Sequence, residues 1–249
     1  MGDAISQSTA LKRIDISGIH FSVVAITALF CGDERTFHCP LEELNFEYTQ
    51  LGSSGIAATI PFLKSISNLK YLHLNNNGLD NEAARLLSEA LDHDVCIECL
   101  NLDTNAIGDE GVEHLLSAEN SVHLNELSLE GNPFERRGFE VISHFLRRDD
   151  TMLYKLFVDC TDTECVQMLV ESVSSNSKLE ILGGNVGVFG TDNDSIMLIS
   201  QSVQNLVCNL SSFQSLCQSN HQLSYAGINT NKMTRSNPTL KVVNQSLHA

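Results

Sequence analysis

A pattern of apolar and polar positions recurs along most of the chain, with successive starts 30, 28, 28, 27, 29 and 26 residues apart. In each repeat the first and fourth places are apolar, and in the first six repeats the sixth place is apolar as well. Side chains of a strand alternate between two faces, so this spacing predicts a short strand with its apolar side chains turned inward. The first places of the seven repeats are Leu11, Leu41, Leu69, Ile97, Leu124, Leu153 and Leu179.

The ninth place carries asparagine in three central repeats, at Asn77, Asn105 and Asn132. An amide side chain is both a donor and an acceptor, so we expect these residues to bond the backbone of neighbouring turns as an internal ladder. Thr49 and Thr161 hold the same place in the flanking repeats and are expected to supply part of that ladder.

The second half of each repeat predicts a helix. Six residues after the ninth place stands Gly or Ala, which we expect to let the helix approach the strand closely. Ala83, Leu87 and Leu91 then fall on one helical face. Residues 21–30 are unusually apolar, which predicts an atypical first repeat with a buried helix. One such unit cannot bury its own apolar face, so neighbouring units must stack.

This pattern resembles the leucine-rich repeat, and its length and helical second half are similar to the ribonuclease-inhibitor-like subfamily. The resemblance covers residues 11 to about 190 and is strong over 41–161. It implies an α/β solenoid of about six to seven repeats, with curved parallel strands on the concave face and helices on the convex face. Members of the family bind proteins and the repeat carries no catalytic residue, so the resemblance implies a non-enzymatic interaction scaffold.

The pattern predicts three segments. Residues 1–190 form the solenoid, with regular repeats over 41–178. Residues 191–228 form an irregular capping segment or degenerate repeats, because charged residues are absent from 195–231 while apolar residues from Ile196 to Leu210 keep helical spacing. Residues 229–249 are expected to be a flexible tail. A fragment of a longer chain is the remaining alternative, since residues 237–240 resemble the start of another repeat.

Charge and cysteine content narrow the possible partners. The 249 residues carry a net charge of -16, which disfavours nucleic acid and anionic membranes. The eight cysteines follow no secretory signal, so we expect reduced thiols and a cytoplasmic protein. We also expect the chain to be a monomer when no partner is bound. Cys96 and Cys99 have the spacing of a zinc-ligand pair but no second pair accompanies them, so no metal or cofactor is predicted.

The third, fifth, seventh and eighth places of each repeat are predicted to point to the concave face. Seven of these residues are acidic and two are basic, so we expect a protein partner with a basic patch. An acidic surface that serves only solubility is the alternative. The candidate partner-binding residues are Glu43, Glu47, Tyr71, His73, Asp103, Glu126, Glu130, Phe157 and Asp159.

Enzymatic function is not predicted, since the chain lacks His-Glu-x-x-His, Gly-x-Ser-x-Gly and phosphate-loop patterns. Two alternatives to a simple scaffold stay open. One is a regulator of a small GTPase, similar to the Ran-activating proteins, although those carry an acidic tail and no acid follows Asp194 here. The other is the recognition arm of a larger signalling, ligase or immune-receptor protein.

Overall fold

The computed structural model describes residue 5 and residues 8–30, 40–91, 97–160, 162–176 and 178–183. These residues form seven strands in one parallel sheet, ordered as in the chain, which confirms the predicted α/β solenoid. Segments 191–228 and 229–249 lie outside the described residues. The strands are β1 (Arg13–Asp15), β2 (Glu43–Asn45), β3 (Tyr71–His73), β4 (Cys99–Asn101), β5 (Glu126–Ser128), β6 (Lys155–Phe157) and β7 (Ile181–Gly183).

A helix follows each of the first six strands in the described part of the chain, so that every coil crosses from the sheet to a helical layer and back. Each helix contacts the next helix along the chain, just as each strand contacts the next strand. The helices are α1 (Val23–Phe30), α2 (Gly52–Ser65), α3 (Asn81–Leu91), α4 (Asp109–Ser117), α5 (Arg136–Leu146) and α6 (Thr163–Ser175), with a 3-10 turn at Glu119–His123 between α4 and β5.

The sheet register brings identical places of successive repeats side by side. Leu44, for example, pairs with Leu72, and Leu72 with Leu100. These fourth-place residues are at most 1% exposed and form the inner row of the core against the helices. Each apolar row therefore continues from one coil into the next.

The first coil differs from its prediction. Ile26, Leu29 and Phe30 of α1 are buried, but Val23 is 41% and Val24 78% exposed. The expectation of a buried helix was therefore wrong for one face of α1. The physical reason is that α1 packs against α2 on one side, while no described helix covers its other side.

The asparagine side chains bind two coils at once. The Oδ1 atom of Asn77 accepts from the backbone N–H groups of Thr49 at 3.2 Å and Leu51 at 3.1 Å in the preceding coil. Its Nδ2 donates to Phe46 O at 2.8 Å and to Leu74 O at 3.0 Å. These bonds satisfy backbone groups that the turn after each strand would otherwise bury without a partner.

The same pattern continues at the next two asparagines. Asn105 accepts from the N–H of Asn77 at 2.9 Å and donates to Leu74 O at 3.1 Å. Asn132 accepts from the N–H of Ile107 at 3.1 Å and donates to Leu102 O at 2.9 Å. Thr49 donates to Phe46 O at 2.7 Å, whereas Thr161 lies outside the described residues.

A second set of bonds between coils lies at the helix N-termini, and the sequence pattern did not predict it. The carboxylate of Asp80 accepts from Ser53 Oγ at 2.6 Å. Asn81 Oδ1 accepts from the N–H of Gly108 at 2.7 Å. Asp109 Oδ1 accepts from the N–H groups of Glu135 at 2.7 Å and Gly138 at 2.8 Å. Asn81 and Asp109 thus satisfy backbone N–H groups around the start of the next helix, whereas Asp80 binds a side-chain hydroxyl of the preceding coil.

The glycines after the ladder make close approaches, but to different groups from those predicted. A Cβ on Gly111 would lie 2.6 Å from Ile107 Cγ2 and 2.8 Å from Asn81 Oδ1. A Cβ on Gly138 would lie 2.8 Å from Phe134 Cδ2 and 3.0 Å from Asp109 Oδ1. The small residue therefore makes room for the loop of its own coil and for the helix-start side chain of the preceding coil, not for the strand.

Replacing Asn77 with alanine should destabilise the chain strongly. Asn77 is 2% exposed, and its removal leaves several backbone donors and acceptors in two coils without partners. At roughly 1–3 kcal/mol for each unsatisfied buried group, we expect a loss of about 3 kcal/mol or more. Urea denaturation followed by circular dichroism measures the change. The matched control is Asn75→Ala, which removes an amide two residues away on the concave face and should change stability by less than about 0.5 kcal/mol. Equal losses for the two variants would contradict the ladder's role.

Candidate functional site: the concave face

The concave face consists of the third-, fifth-, seventh- and eighth-place side chains around the strands. Because the sheet register aligns identical places, each place forms a row that runs across the coils. The fourth and sixth places lie beneath this surface in the core, at Leu44 and Phe46 for example. Each row therefore combines side chains that are 26 to 30 residues apart in the chain.

The N-terminal part of the third-place row is paired internally. Arg13 lies 3.1 Å from Glu43 Oε1. The Nε2 atom of His73, at the fifth place of the next coil, lies 3.8 Å from the same oxygen. Glu43 is thus an acid with a cationic neighbour on its own surface.

The C-terminal part of this row is also paired. Lys155 Nζ lies 2.8 Å from Glu126 Oε2, and the two side chains are 29% and 28% exposed. Lys155 also lies 5.3 Å from the centre of the Tyr154 ring. Cys99 stands beside Glu126 in the register, and burial raises the pKa of its thiol to about 11, with a further rise from Glu126. The thiol is therefore protonated near neutral pH and a poor nucleophile.

Three acids of the seventh-place row lie together where the chain leaves β4, β5 and β6. Asp103 Oδ1 accepts from Ser128 Oγ at 2.6 Å and from the N–H of Glu130 at 2.8 Å. Asp159 Oδ2 accepts from the N–H of Gly131 at 2.7 Å. No hydrogen bond or ion pair within the described residues involves the carboxylate of Glu130.

Burial, together with the proximity of the other acids, raises the pKa values of two of these acids. Burial raises the pKa of Asp103 above its ordinary value, and the charge of Asp159 raises it further, against the opposing effect of the Ser128 hydrogen bond. Burial likewise raises the pKa of Glu130, followed by the charges of Asp103 and Asp159. We call Asp103, Glu130 and Asp159 the acidic cluster. Its three side chains are half-buried, and their carboxylates repel one another.

The aromatic candidates occupy different environments. Tyr71 is 40% exposed on β3. Tyr48, which was not among the candidates, is 53% exposed at the eighth place of the second coil. Phe157 is half-buried, and a Cβ on Gly183 would lie 2.4 Å from its ring. The Phe157 ring thus packs over β7 and covers that strand, while the two tyrosines project.

The structure therefore divides the nine candidate residues into groups. Glu43 and His73 belong to the Arg13 ion-pair network, and Glu126 pairs with Lys155. The acidic cluster collects three other candidates. Glu47 and Tyr71 stand separately on the N-terminal coils, and Phe157 packs against Gly183 of β7. The ion pairs could have been found from the sequence, because third-place residues of adjacent repeats are register partners, as Glu126 and Lys155 are.

Comparison with known proteins supports the repeat assignment. The family model described as "Leucine Rich repeat" matches residues 65–88 and 93–116. These two stretches contain the first halves of the third and fourth coils, with the ladder residues Asn77 and Asn105. None of the helices among the described residues is long and apolar enough to span a membrane.

Curated relatives share this repeat type. Mouse NACHT, LRR and PYD domains-containing protein 5 is 30% identical over 207 residues, which is 80% of this chain and 17% of that protein. Mouse ribonuclease inhibitor is 26% identical over 184 residues, which is 72% of this chain and 40% of that protein. The chain therefore spans less than half the length of either relative. A solved structure of leiomodin-1 actin-binding site 2 covers 89% of this chain and 92% of its own, with 14% identity and a TM-score of 0.36, too low to carry a conclusion.

The repeat length, the single parallel sheet, the interleaved asparagine bonds and the matched family model agree with one another. The chain is a leucine-rich-repeat protein whose repeats are of the ribonuclease-inhibitor-like type.

Proposed function

We propose that the chain is a non-enzymatic scaffold that binds a basic protein through its concave face. The observation that carries this proposal is the acidic cluster. Glu130 is a half-buried acid without a cationic partner among the described residues, and its pKa is raised by burial and by two neighbouring acids. A cation from another protein would relieve this repulsion, and it would add favourable interactions that the chain does not make alone.

The contrast with the rest of the face supports the proposal. Glu43 has Arg13 beside it, and Glu126 has Lys155. The fold thus supplies a cation for each of these two acids, whereas the described residues place none beside Glu130. Solubility alone is served as well by exposed acids on the convex helices, such as Glu110, which carry no cost of burial.

The proposed absence of catalysis has support from the concave face itself. Cys99 lies on this surface, and its pKa of about 11 keeps it protonated near neutral pH. Cys160, at the eighth place of the sixth coil, is buried, and burial raises the pKa of its thiol to about 12. The proposed location is the cytoplasm, since Cys99, Cys160 and Cys165 are free thiols and a reducing compartment maintains that state.

The relatives favour one second candidate function. The chain matches 17% of mouse NACHT, LRR and PYD domains-containing protein 5 and 40% of mouse ribonuclease inhibitor. The recognition arm of a larger signalling protein is therefore a variant of the same proposal, with the same binding face. Under either form, the concave face is the part that meets the partner.

Reversing the charge of Glu130 should abolish partner binding. The Glu130→Lys variant places a cation inside the acidic cluster, where it pairs with Asp103 and Asp159 and repels a basic partner. The matched control is Glu110→Lys, which changes the net charge equally at an exposed position of helix α4. The measurement is affinity capture from cell extract with quantitative mass spectrometry, followed by titration of the purified captured protein. We expect at least a tenfold loss for Glu130→Lys and less than twofold for Glu110→Lys. Equal retention by both variants would remove the acidic cluster from the binding surface.

Neutralising Asp103 should raise stability near neutral pH. The Asp103→Asn variant keeps an oxygen that can accept from Ser128 and from the N–H of Glu130. It removes a carboxyl group whose pKa is raised in the folded chain. Because the pKa of Asp103 is raised by folding, its ionised form lowers the stability of the fold at pH values above the pKa of Asp103 in the folded chain. This loss of stability vanishes below the pKa of an aspartate in the unfolded chain, which is near 4.

Thermal unfolding at a series of pH values checks this prediction. The melting temperature of Asp103→Asn should exceed that of the wild type at pH 7, and the difference should shrink towards zero as the pH falls to about 4. Asp15→Asn is the control of opposite sign, because hydrogen bonds from Ser17 lower the pKa of Asp15. A lower melting temperature for Asp103→Asn at pH 7 would contradict the repulsion within the acidic cluster.

A further inference from the structure

The dipeptide Asn77–Gly78 is the one place in the sequence where glycine follows asparagine. Asparagine is a thermolabile residue, because the backbone nitrogen of the next residue can attack its side-chain carbonyl carbon. Glycine has no side chain to hinder this attack, so this dipeptide is the most reactive of the asparagine sites. Asn77 is also a ladder residue, and the reactive site therefore lies within the bonds that join the coils.

The reaction is a deamidation that consumes only water. The nitrogen of Gly78 bonds to Cγ of Asn77, the Cγ–Nδ2 bond breaks, and Nδ2 leaves as ammonia together with the proton of the Gly78 N–H. The result is a five-membered succinimide ring that includes the backbone between the two residues. Water then opens the ring at one of its two carbonyl carbons, which leaves either aspartate or isoaspartate in place of asparagine.

In the folded stack both ends of the Asn77 amide are held. Its Nδ2 donates to Phe46 O at 2.8 Å, and its Oδ1 accepts from the Thr49 hydroxyl at 2.8 Å and from the N–H of Leu51 at 3.1 Å. Attack by the next nitrogen turns the planar amide carbon tetrahedral, which would break these bonds at a site that is 2% exposed. The reaction therefore requires local opening that separates the second coil from the third.

The product does not fit the site that asparagine occupied. An ionised aspartate only accepts hydrogen bonds, so one of its oxygens would face the carbonyl oxygens that now accept from Nδ2, those of Phe46, Leu74 and Asn75. Burying a charge among acceptors costs much more than burying an amide that pairs with them. Isoaspartate also adds one methylene to the backbone, which shifts the ladder out of register. A converted chain is therefore unable to restack.

The other two ladder asparagines precede residues that hinder or prevent the reaction. Ala106 follows Asn105, and its methyl group hinders the attack. Pro133 follows Asn132 and has no N–H, so its nitrogen cannot form the neutral succinimide. The three ladder residues make the same kind of bonds between coils and differ in the attacking nitrogen. They form an internal comparison within one chain.

We propose that Asn77–Gly78 is a deamidation site that makes opening of the third coil a one-way event. The amide does not react while the coils are stacked, and it reacts when they separate. Chemical modification of an opened chain makes unfolding irreversible, so that the stability of the protein becomes a lifetime. This inference does not depend on the identity of the partner. Because the register of the coils forms the concave face, the same lifetime limits binding at that face.

The first test follows the Asn77 amide by peptide mapping with mass spectrometry, using fragmentation that separates aspartate from isoaspartate. The reduced full chain is kept at neutral pH, either folded in buffer or unfolded in guanidinium chloride, for the same period. In denaturant we expect Asn77 to convert at least tenfold faster than Asn105, with no isoaspartate at Asn132. In buffer we expect Asn77 to convert at least a hundredfold more slowly than in denaturant. Equal rates of conversion of Asn77 in the two conditions would overturn the proposal.

The second test removes the denaturant when about half of the chains have converted. Size-exclusion chromatography separates refolded from unfolded chains, and each fraction is mapped in the same way. We expect the refolded fraction to retain the Asn77 amide, and the converted chains to be at least tenfold enriched in the unfolded fraction. Converted chains that refold as completely as unconverted ones would show that the event is reversible, against the proposal.

Gly78→Asn is the matched control variant. The φ angle of Gly78 is 65°, which asparagine tolerates better than most residues, and no atom lies within 4 Å of a Cβ built there. We expect its Asn77 to convert at least tenfold more slowly in denaturant, and its refolding yield to stay constant over the same period. A yield that falls as fast as that of the wild type would assign the loss to another site and overturn the proposal. If this variant does not fold, the comparison of Asn77 with Asn105 and Asn132 in the wild type supplies the same contrast.

Discussion

The asparagine side chain that joins two coils is the interaction on which the rest of the structure depends. Asn77 bonds the backbone of its own coil and of the preceding one, and Asn105 then bonds the coil of Asn77. No single coil can satisfy its own turn, so coils exist only as a stack. The ladder also fixes the offset between coils, because a shift of one residue would separate every amide from its partners.

A fixed offset makes identical places neighbours, and this decides the electrostatics of the concave face. Where adjacent repeats carry opposite charges at the same place, they pair, as Glu126 does with Lys155. Where three adjacent repeats carry acids at the seventh place, the acids lie side by side, and burial together with their mutual repulsion raises the pKa values of Asp103 and Glu130. The register that stabilises the core thus concentrates negative charge at one position, which is where we place the partner's cation.

Much of the fold could be predicted from the sequence because the repeat forces one solution. Leu72, Leu74 and Asn77 have fixed spacing, and only a short inward-facing strand followed by a turn places all three inside. The exposure of Val24 could not be predicted in this way, because it depends on what stacks outside the first coil. The bonds from Asp109 to the next helix were also missed, since a polar residue at a helix start has many possible partners. At the site, the acids were predicted, but not which of them pair with cations and which form the acidic cluster, and positive φ at Thr104 leaves no signal in composition.

The most direct test of the account is hydrogen–deuterium exchange of the chain, alone and in complex with the protein it captures. Binding should slow exchange in the segments that leave the strands around the acidic cluster, residues 101–105, 128–132 and 157–160. Exchange in helices α4 and α5 on the convex side should stay unchanged. Protection confined to 109–117 and 136–146, with none near the acidic cluster, would contradict the assignment of the concave face as the binding surface.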